Sequence, residues 1–315
     1  VVRQALINLV HEGWLETVKG VGTFCRTRVA GHELSTNIGF VCFFTGSYIF
    51  PEIIRGCDHV LYRKGFHLLL NQSEYDLAKE RNILLNLKKK GVDGVIIEPV
   101  YSEDHPDASN ADILLEMRAQ GVAVVLCDNC YPRANFNYVC LDDEEGGRLA
   151  ASHLWERGHR RIGVYFQSDY QVKQARRRGV EEYLAEKGAP VRKEWIIGFT
   201  GQGSQSRGPD AARRFFAETV DLPTAIVCSS DEDALQLVQE AEARGLRIPE
   251  DLSIIGFDNS KIAQLGKISL TSVEHPSFFL GETATNILLE QIHNPNLNLL
   301  TRKTIVPRII ERSSV

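Results

Sequence analysis

No apolar run in this chain approaches the roughly 18 residues that a membrane-spanning helix needs, and no charged stretch followed by an apolar segment opens it as a secretion signal would. A cytoplasmic protein without a membrane partner is the expectation. The nine histidines form no His-x-x-x-His pair. Cys127-Asp128-Asn129-Cys130 has no second pair with which to hold zinc, and Tyr131-Pro132 follows where a redox motif would open a helix. Gly201-Gln202-Gly203-Ser204 lacks the lysine of a phosphate-binding loop. No serine sits in a Gly-x-Ser-x-Gly elbow. The expectation is no metal, no cofactor and no enzyme. The seven cysteines are odd in number and irregularly spaced, which reads as reduced thiols.

What is present is ordinary in composition: 315 residues, 43% hydrophobic and 24% charged, enough for two or three domains with cores of their own. A net charge of −5 argues against a general nucleic-acid binder. Residues 1–30 differ in sign, with Arg3, Lys19, Arg26 and Arg28 against Glu12 and Glu16.

The first ten residues have helical apolar spacing but no start signal, and Gly13 stops them. Trp14–Val18 reads as a strand, Lys19–Gly22 as a turn and Thr23–Cys25 as a return strand. A helix followed by a basic-tipped hairpin is the back half of a winged helix-turn-helix. The expectation is a head that lacks its leading helices and so fails to bind DNA specifically in this chain.

After a polar linker at 31–37, strand-like and helix-like runs alternate. Strands are expected at Ile38–Phe44, Phe66–Leu70, Val92–Ile97, Val122–Cys127 and Tyr138–Leu141, with helices at Pro51–Lys64, Asp76–Lys90, Ala111–Gln120 and Glu144–Arg157. The pattern restarts at Arg161–Phe166 and continues to Leu252–Phe257. Strands alternating with helices require parallel sheets with right-handed crossovers. The fold class is therefore α/β, with two doubly wound parallel-sheet subdomains after a partial winged helix. One subdomain is placed at about 38–159 plus 275–294, the other at about 160–273 plus 296–315. Ligands of such sheets sit beyond the strand carboxyl ends.

The stretch Leu246–Asp258 resembles the LacI/GalR family of sugar-responsive repressors, as do Gly158–Ile162 and Leu270–Pro276. That resemblance implies a periplasmic-binding-protein-like type I sensor. Val2–Leu6 and Gly20–Phe24 resemble the GntR winged helix. The combination resembles the bacterial arabinose repressors, as do Tyr48–Gly56 and Leu141-Asp142-Asp143. It implies a homodimeric repressor whose sugar effector is L-arabinose, with another pentose, a sugar phosphate or a plain solute-binding role as alternatives. Operator DNA is the implied partner of the intact protein, met by Arg3 from the recognition helix and by Lys19 and Gly22 from the wing.

A sugar offers hydroxyls around its rim and a partly apolar face, so its site needs planar polar groups and an aromatic platform. Tyr48 and Phe50 supply rings, although Phe50 beside Pro51 also suits a core position. Ser73, Glu74, Glu98, Asp128, Tyr131 and Asp142 follow strands of the first half. From the second half the resemblance implies Arg176, with Lys173 as an additional contact, while Ser230 and Asp231 follow the strand ending at Cys228 and Asp258 directly follows a buried strand, as in the family pattern. His275, in the return connection, suits a hydroxyl partner.

Overall fold

The computed structural model describes residues 5–6, 9–10, 15–18, 22–25, 34–46, 48–101, 108–131, 133–201, 207–295 and 300–315. The chain divides into two compact units, Val1–Ser35 and Thr36–Val315. In the first, residues 5, 6, 9 and 10 are helical, and β1 (Leu15–Val18) pairs antiparallel with β2 (Gly22–Cys25). Gly22 opens β2; Arg3 and Lys19 lie outside the described residues.

The second unit holds two six-stranded sheets. In the first lobe β3 (Asn37–Cys42) lies between β4 (His67–Gln72) and β5 (Gly94–Ile97), and β6 (Ala123–Asp128), β7 (Asn137–Leu141) and β13 (Arg302–Ile305) follow in order, all parallel. In the second, β8 (Ile162–Gln167) lies between β9 (Ile196–Phe199) and β10 (Ala225–Cys228), followed by β11 (Ser253–Asp258), β12 (Thr271–Glu274) and the antiparallel β14 (Ile309–Ile310). Central strands such as β5, β6, β8 and β11 are buried at every residue, because helices cover both faces of each sheet.

In the first lobe α1 (Phe50–Arg63) and α8 (Ser277–His293) cover one face, and α2 (Leu77–Lys90) and α3 (Ala111–Ala119) the other. In the second, α4 (Asp143–Glu156) and α5 (Gln171–Glu186) face α6 (Gly208–Glu218) and α7 (Asp231–Glu242) across the sheet. Each lobe has one helix pair in backbone contact. A Cβ at Gly56 would lie 2.1 Å from the Phe278 carbonyl oxygen, and one at Gly281 2.1 Å from that of Ile53. In the second lobe a Cβ at Gly147 would meet the Arg176 carbonyl oxygen at 1.9 Å, and one at Gly179 that of Glu144 at 1.9 Å. Only glycine permits either crossing.

The two doubly wound sheets agree with the sequence reading of the fold class, but two boundaries differ. Helix α4 packs in the second lobe, with Ala150, Ala151 and Leu154 against Ile162, Val164 and Val180. The chain thus changes lobes at Asp142, not near residue 159. Strand β13 pairs with β7 of the first lobe, so the last crossing lies between Ile305 and Ile309, not near residue 296. Among the described residues no helix is long and apolar enough to cross a membrane.

Candidate functional site

The carboxyl ends of both sheets face a cleft with a cavity of about 480 Å³. Phe43, Phe44, Tyr48, Phe50, Tyr75 and Asp128 line it from the first lobe. Gln167, Tyr170, Lys173, Arg176, Phe199, Asp233 and Asp258 line it from the second. Several of these residues have backbones that side chains rarely adopt: φ is +64° at Tyr48, +62° at Tyr75, +69° at Asp128 and +95° at Asp258. Such strain gathers where surrounding contacts hold side chains in place for a task.

Arg176 is the electrostatic centre of the floor. It rises from α5, which the Gly147–Gly179 crossing presses against the start of α4. Its Nε donates to Asp143 Oδ1 at 2.7 Å, and one Nη donates to the Ser229 carbonyl at 2.8 Å. The same Nη lies 2.9 Å from Asp258 Oδ1 as an ion pair, and the guanidinium stacks 3.7 Å above the Phe257 ring. Burial disfavours its charge, yet Asp258 and Asp143 outweigh that and raise its pKa. Burial pushes the Asp143 carboxyl up to about 6 against the pull of Arg176.

Two tyrosines join the lobes. Tyr48 donates to Asp258 Oδ2 at 2.6 Å, with the Phe257 carbonyl at 3.0 Å as a second acceptor. Its oxygen accepts the Asp231 N–H at 2.9 Å. From the other side Tyr170 donates to Glu98 Oε1 at 2.5 Å. Burial, then the nearby Asp128 charge, raises the Glu98 pKa well above the usual carboxylate range. Asp128 is instead lowered, because the His275 charge 2.7 Å away overcomes burial. Ser277 completes the chain, 2.8 Å from His275 Nδ1.

Tyr48, Phe50, Asp128, Lys173, Arg176 and Asp258 thus line one cavity. Glu98 and His275 stand behind it, holding Tyr170 and Asp128. The other sequence-predicted positions do not line this cavity. The Ser73 hydroxyl donates to the Cys42 carbonyl, and exposed Glu74 pairs with Lys79 at 2.9 Å. Tyr131 turns into the first-lobe core against Tyr101 and Phe136. Asp142 and Ser230 cap α4 and α7, accepting from the N–H groups of Glu145 and Asp233. Asp231 points at Ser260 and Ser272, and burial together with the Asp258 charge raises its carboxyl to about 7. These acids and serines satisfy helix ends and loops, the commoner task of such residues after strands. Sequence reasoning missed Phe43, Gln167 and Phe199, which stand at strand ends and were open to the same rule. It also missed Tyr75, Tyr170 and Asp143, which chain order alone does not bring here.

A family profile described as "periplasmic binding protein-like domain" matches residues 151–315. Over 316 residues the chain is 32% identical to an arabinose metabolism transcriptional repressor of Geobacillus stearothermophilus, across 99% of this chain and 86% of that protein. It is also 32% identical over 280 residues to the HTH-type transcriptional repressor PurR of Erwinia tasmaniensis, across 88% and 79%. Among solved structures, a LacI family transcriptional regulator from Enterococcus faecalis V583 with bound ribose superposes with a TM-score of 0.75 at 31% identity, across 89% and 98%. Identity of 32% to two differently named repressors, together with 31% to a LacI family structure, overturns the reading as a GntR-headed arabinose repressor. The common ground is the LacI type, and these relatives are regulators rather than catalysts.

Proposed function

The chain belongs to the LacI-type family of transcriptional regulators built on the periplasmic binding protein-like domain, and we propose that this sugar-responsive repressor takes a neutral sugar in its interlobe cleft. One observation carries the reading: Arg176, Asp258 and Tyr48 form a single buried network that joins both lobes at the floor of an aromatic-lined cavity. Carboxylate and guanidinium suit adjacent hydroxyls, and the rings suit the apolar face of a sugar. The ribose-bound relative supports a ring of that size.

Charge speaks for a neutral effector. Among the described residues both cations lining the cavity are committed, Lys173 to Asp233 at 3.1 Å and Arg176 to Asp143 and Asp258. Glu232, on the same helix as Asp233, adds a further carboxylate to the second-lobe wall. A phosphate placed there would meet more repulsion than attraction.

In this reading the sugar favours one interlobe geometry and so biases the DNA-binding state, since a ligand shifts an equilibrium only by its differential affinity. The hinge is the three crossings at Asp142, His275 and 306–308. A homodimer is part of the same proposal, checked by light scattering of the purified chain.

Calorimetric titration with L-arabinose, D-xylose, D-ribose, D-galactose and a pentose phosphate tests the effector class. Saturable binding of a neutral sugar is expected. Selective binding of the phosphate would sink the neutral reading.

A further inference from the structure

We infer that the effector is a disaccharide, with one ring on the buried floor and the second in the half-open mouth beside α7. The inference rests on the neutral-sugar reading and deepens it. The floor groups Asp128, Arg176 and Asp258 are all at most 5% exposed, and each is tied to protein partners. The mouth differs. Glu232, Gln236 and Gln239 follow one another at spacings of four and three residues, which puts them on one face of α7, and all three line the cavity.

Among the described residues, neither the Glu232 carboxylate nor the Gln239 amide is hydrogen-bonded within the protein, and both side chains are exposed. Gln236 uses only its oxygen, accepting from Tyr165 at 3.4 Å, which leaves its NH₂ free to donate. Two amides and an acid in a row match the alternating donors and acceptors of a hydroxylated ring. Phe199 and Ile262 supply apolar surface in the same cavity.

Size points the same way. A pentose has ten non-hydrogen atoms and fills at most about 300 Å³, even at the roughly 30 Å³ that a whole water takes in the liquid. The cavity of about 480 Å³ therefore leaves at least about 180 Å³, so a second ring, up to about 270 Å³ on the same scale, fits by extending out through the half-open mouth.

The test is calorimetry on the whole chain with monosaccharides (xylose, arabinose, glucose) and the matching disaccharides (xylobiose, arabinobiose, cellobiose). At least one disaccharide is expected to bind tenfold or more tightly than its monosaccharide. The double variant Glu232→Ala/Gln239→Ala, changed only at exposed positions, is expected to cut that ratio at least fivefold. Monosaccharide binding with every disaccharide equal or weaker would overturn the second ring and leave the sugar reading standing. So would an unaltered ratio in the double variant. Tighter binding of an aryl glycoside than of any disaccharide would replace the second sugar with an apolar group. Binding of no sugar by a folded sample would remove the neutral-sugar reading itself.

Discussion

The Tyr48 hydroxyl lies 2.6 Å from Asp258 Oδ2, so a residue of the first lobe closes the hydrogen-bond network of the second. Burial and the charges of Asp258 and Asp231 raise the phenol pKa, which keeps the proton on Tyr48 for donation. Tyr48→Phe retains the ring and removes the bridge. We expect sugar affinity to fall by about 1–2 kcal/mol, the range of a hydrogen bond to a charged group, read by titration calorimetry. Unchanged affinity would show that closure does not depend on this contact.

Arg176→Ala strands Asp143 and Asp258 in the interior without their shared cation. Removing one member of a buried pair costs about 3–5 kcal/mol. Chemical denaturation is expected to show a loss of that order, together with loss of sugar binding. A stability change below about 1 kcal/mol would mean the two acids take up protons or water at little cost.

The glycine crossings separate packing from binding. Gly147→Ala forces a methyl against the Arg176 carbonyl, and Gly281→Ala forces one against the Ile53 carbonyl. Both are expected to lower stability by at least about 1–3 kcal/mol, as overpacking does. Gly147→Ala moves the helix that carries Arg176, whereas Gly281→Ala presses on α1, whose first residue Phe50 lines the cavity, so Gly147→Ala is expected to weaken sugar affinity more in samples that are still folded. Equal affinity losses in both variants would refute the distinction.

The His275–Asp128 pair sets a pH dependence at the hinge. Burial lowers the His275 pKa, but the Asp128 charge and hydrogen bond outweigh it, and the pKa ends above 6.5. A raised folded pKa gives stability that is complete below pH 6.5 and lost as pH rises through the raised value. Asp128 is lowered from 3.8, so its share is present above that pH and lost only as pH falls through the lowered value. Melting temperatures measured between about pH 6 and 9 should therefore decline on the alkaline side in the native protein. Asp143, raised to about 6, and Asp231, raised to about 7, add their own decline up to about pH 7, so it is the part above pH 7 that should shrink in His275→Gln. A parallel slope in both proteins would assign it to other groups.

The order of elements was legible because apolar runs between glycine and proline breaks report local periodicity. Asp128 and Asp258, which line the cavity, follow strands, whose carboxyl ends must converge on one side of their sheet, whereas Arg176 lies inside a helix and came only from the family resemblance. The rule failed where a polar residue after a strand had a nearer task. Asp142 and Ser230 cap helices, and Tyr131 turns back into the core. Nothing in residue spacing separates a capping acid from a ligand-facing one.

The chain's own sequence determined two parallel-sheet lobes, since strand–helix alternation has few other ways to bury its apolar faces. Which lobe owns a segment was decided by tertiary contact. Helix α4 follows a strand of the first lobe, yet Gly147 and Gly179 lock it to α5 of the second. That long-range crossing brings Asp143 to Arg176, 33 residues further along the chain. The pairing of Tyr48 with Asp258 spans 210 positions and depends on how the lobes meet. Local periodicity carries no information about partners so far apart, and only the packed structure brings them within hydrogen-bond reach.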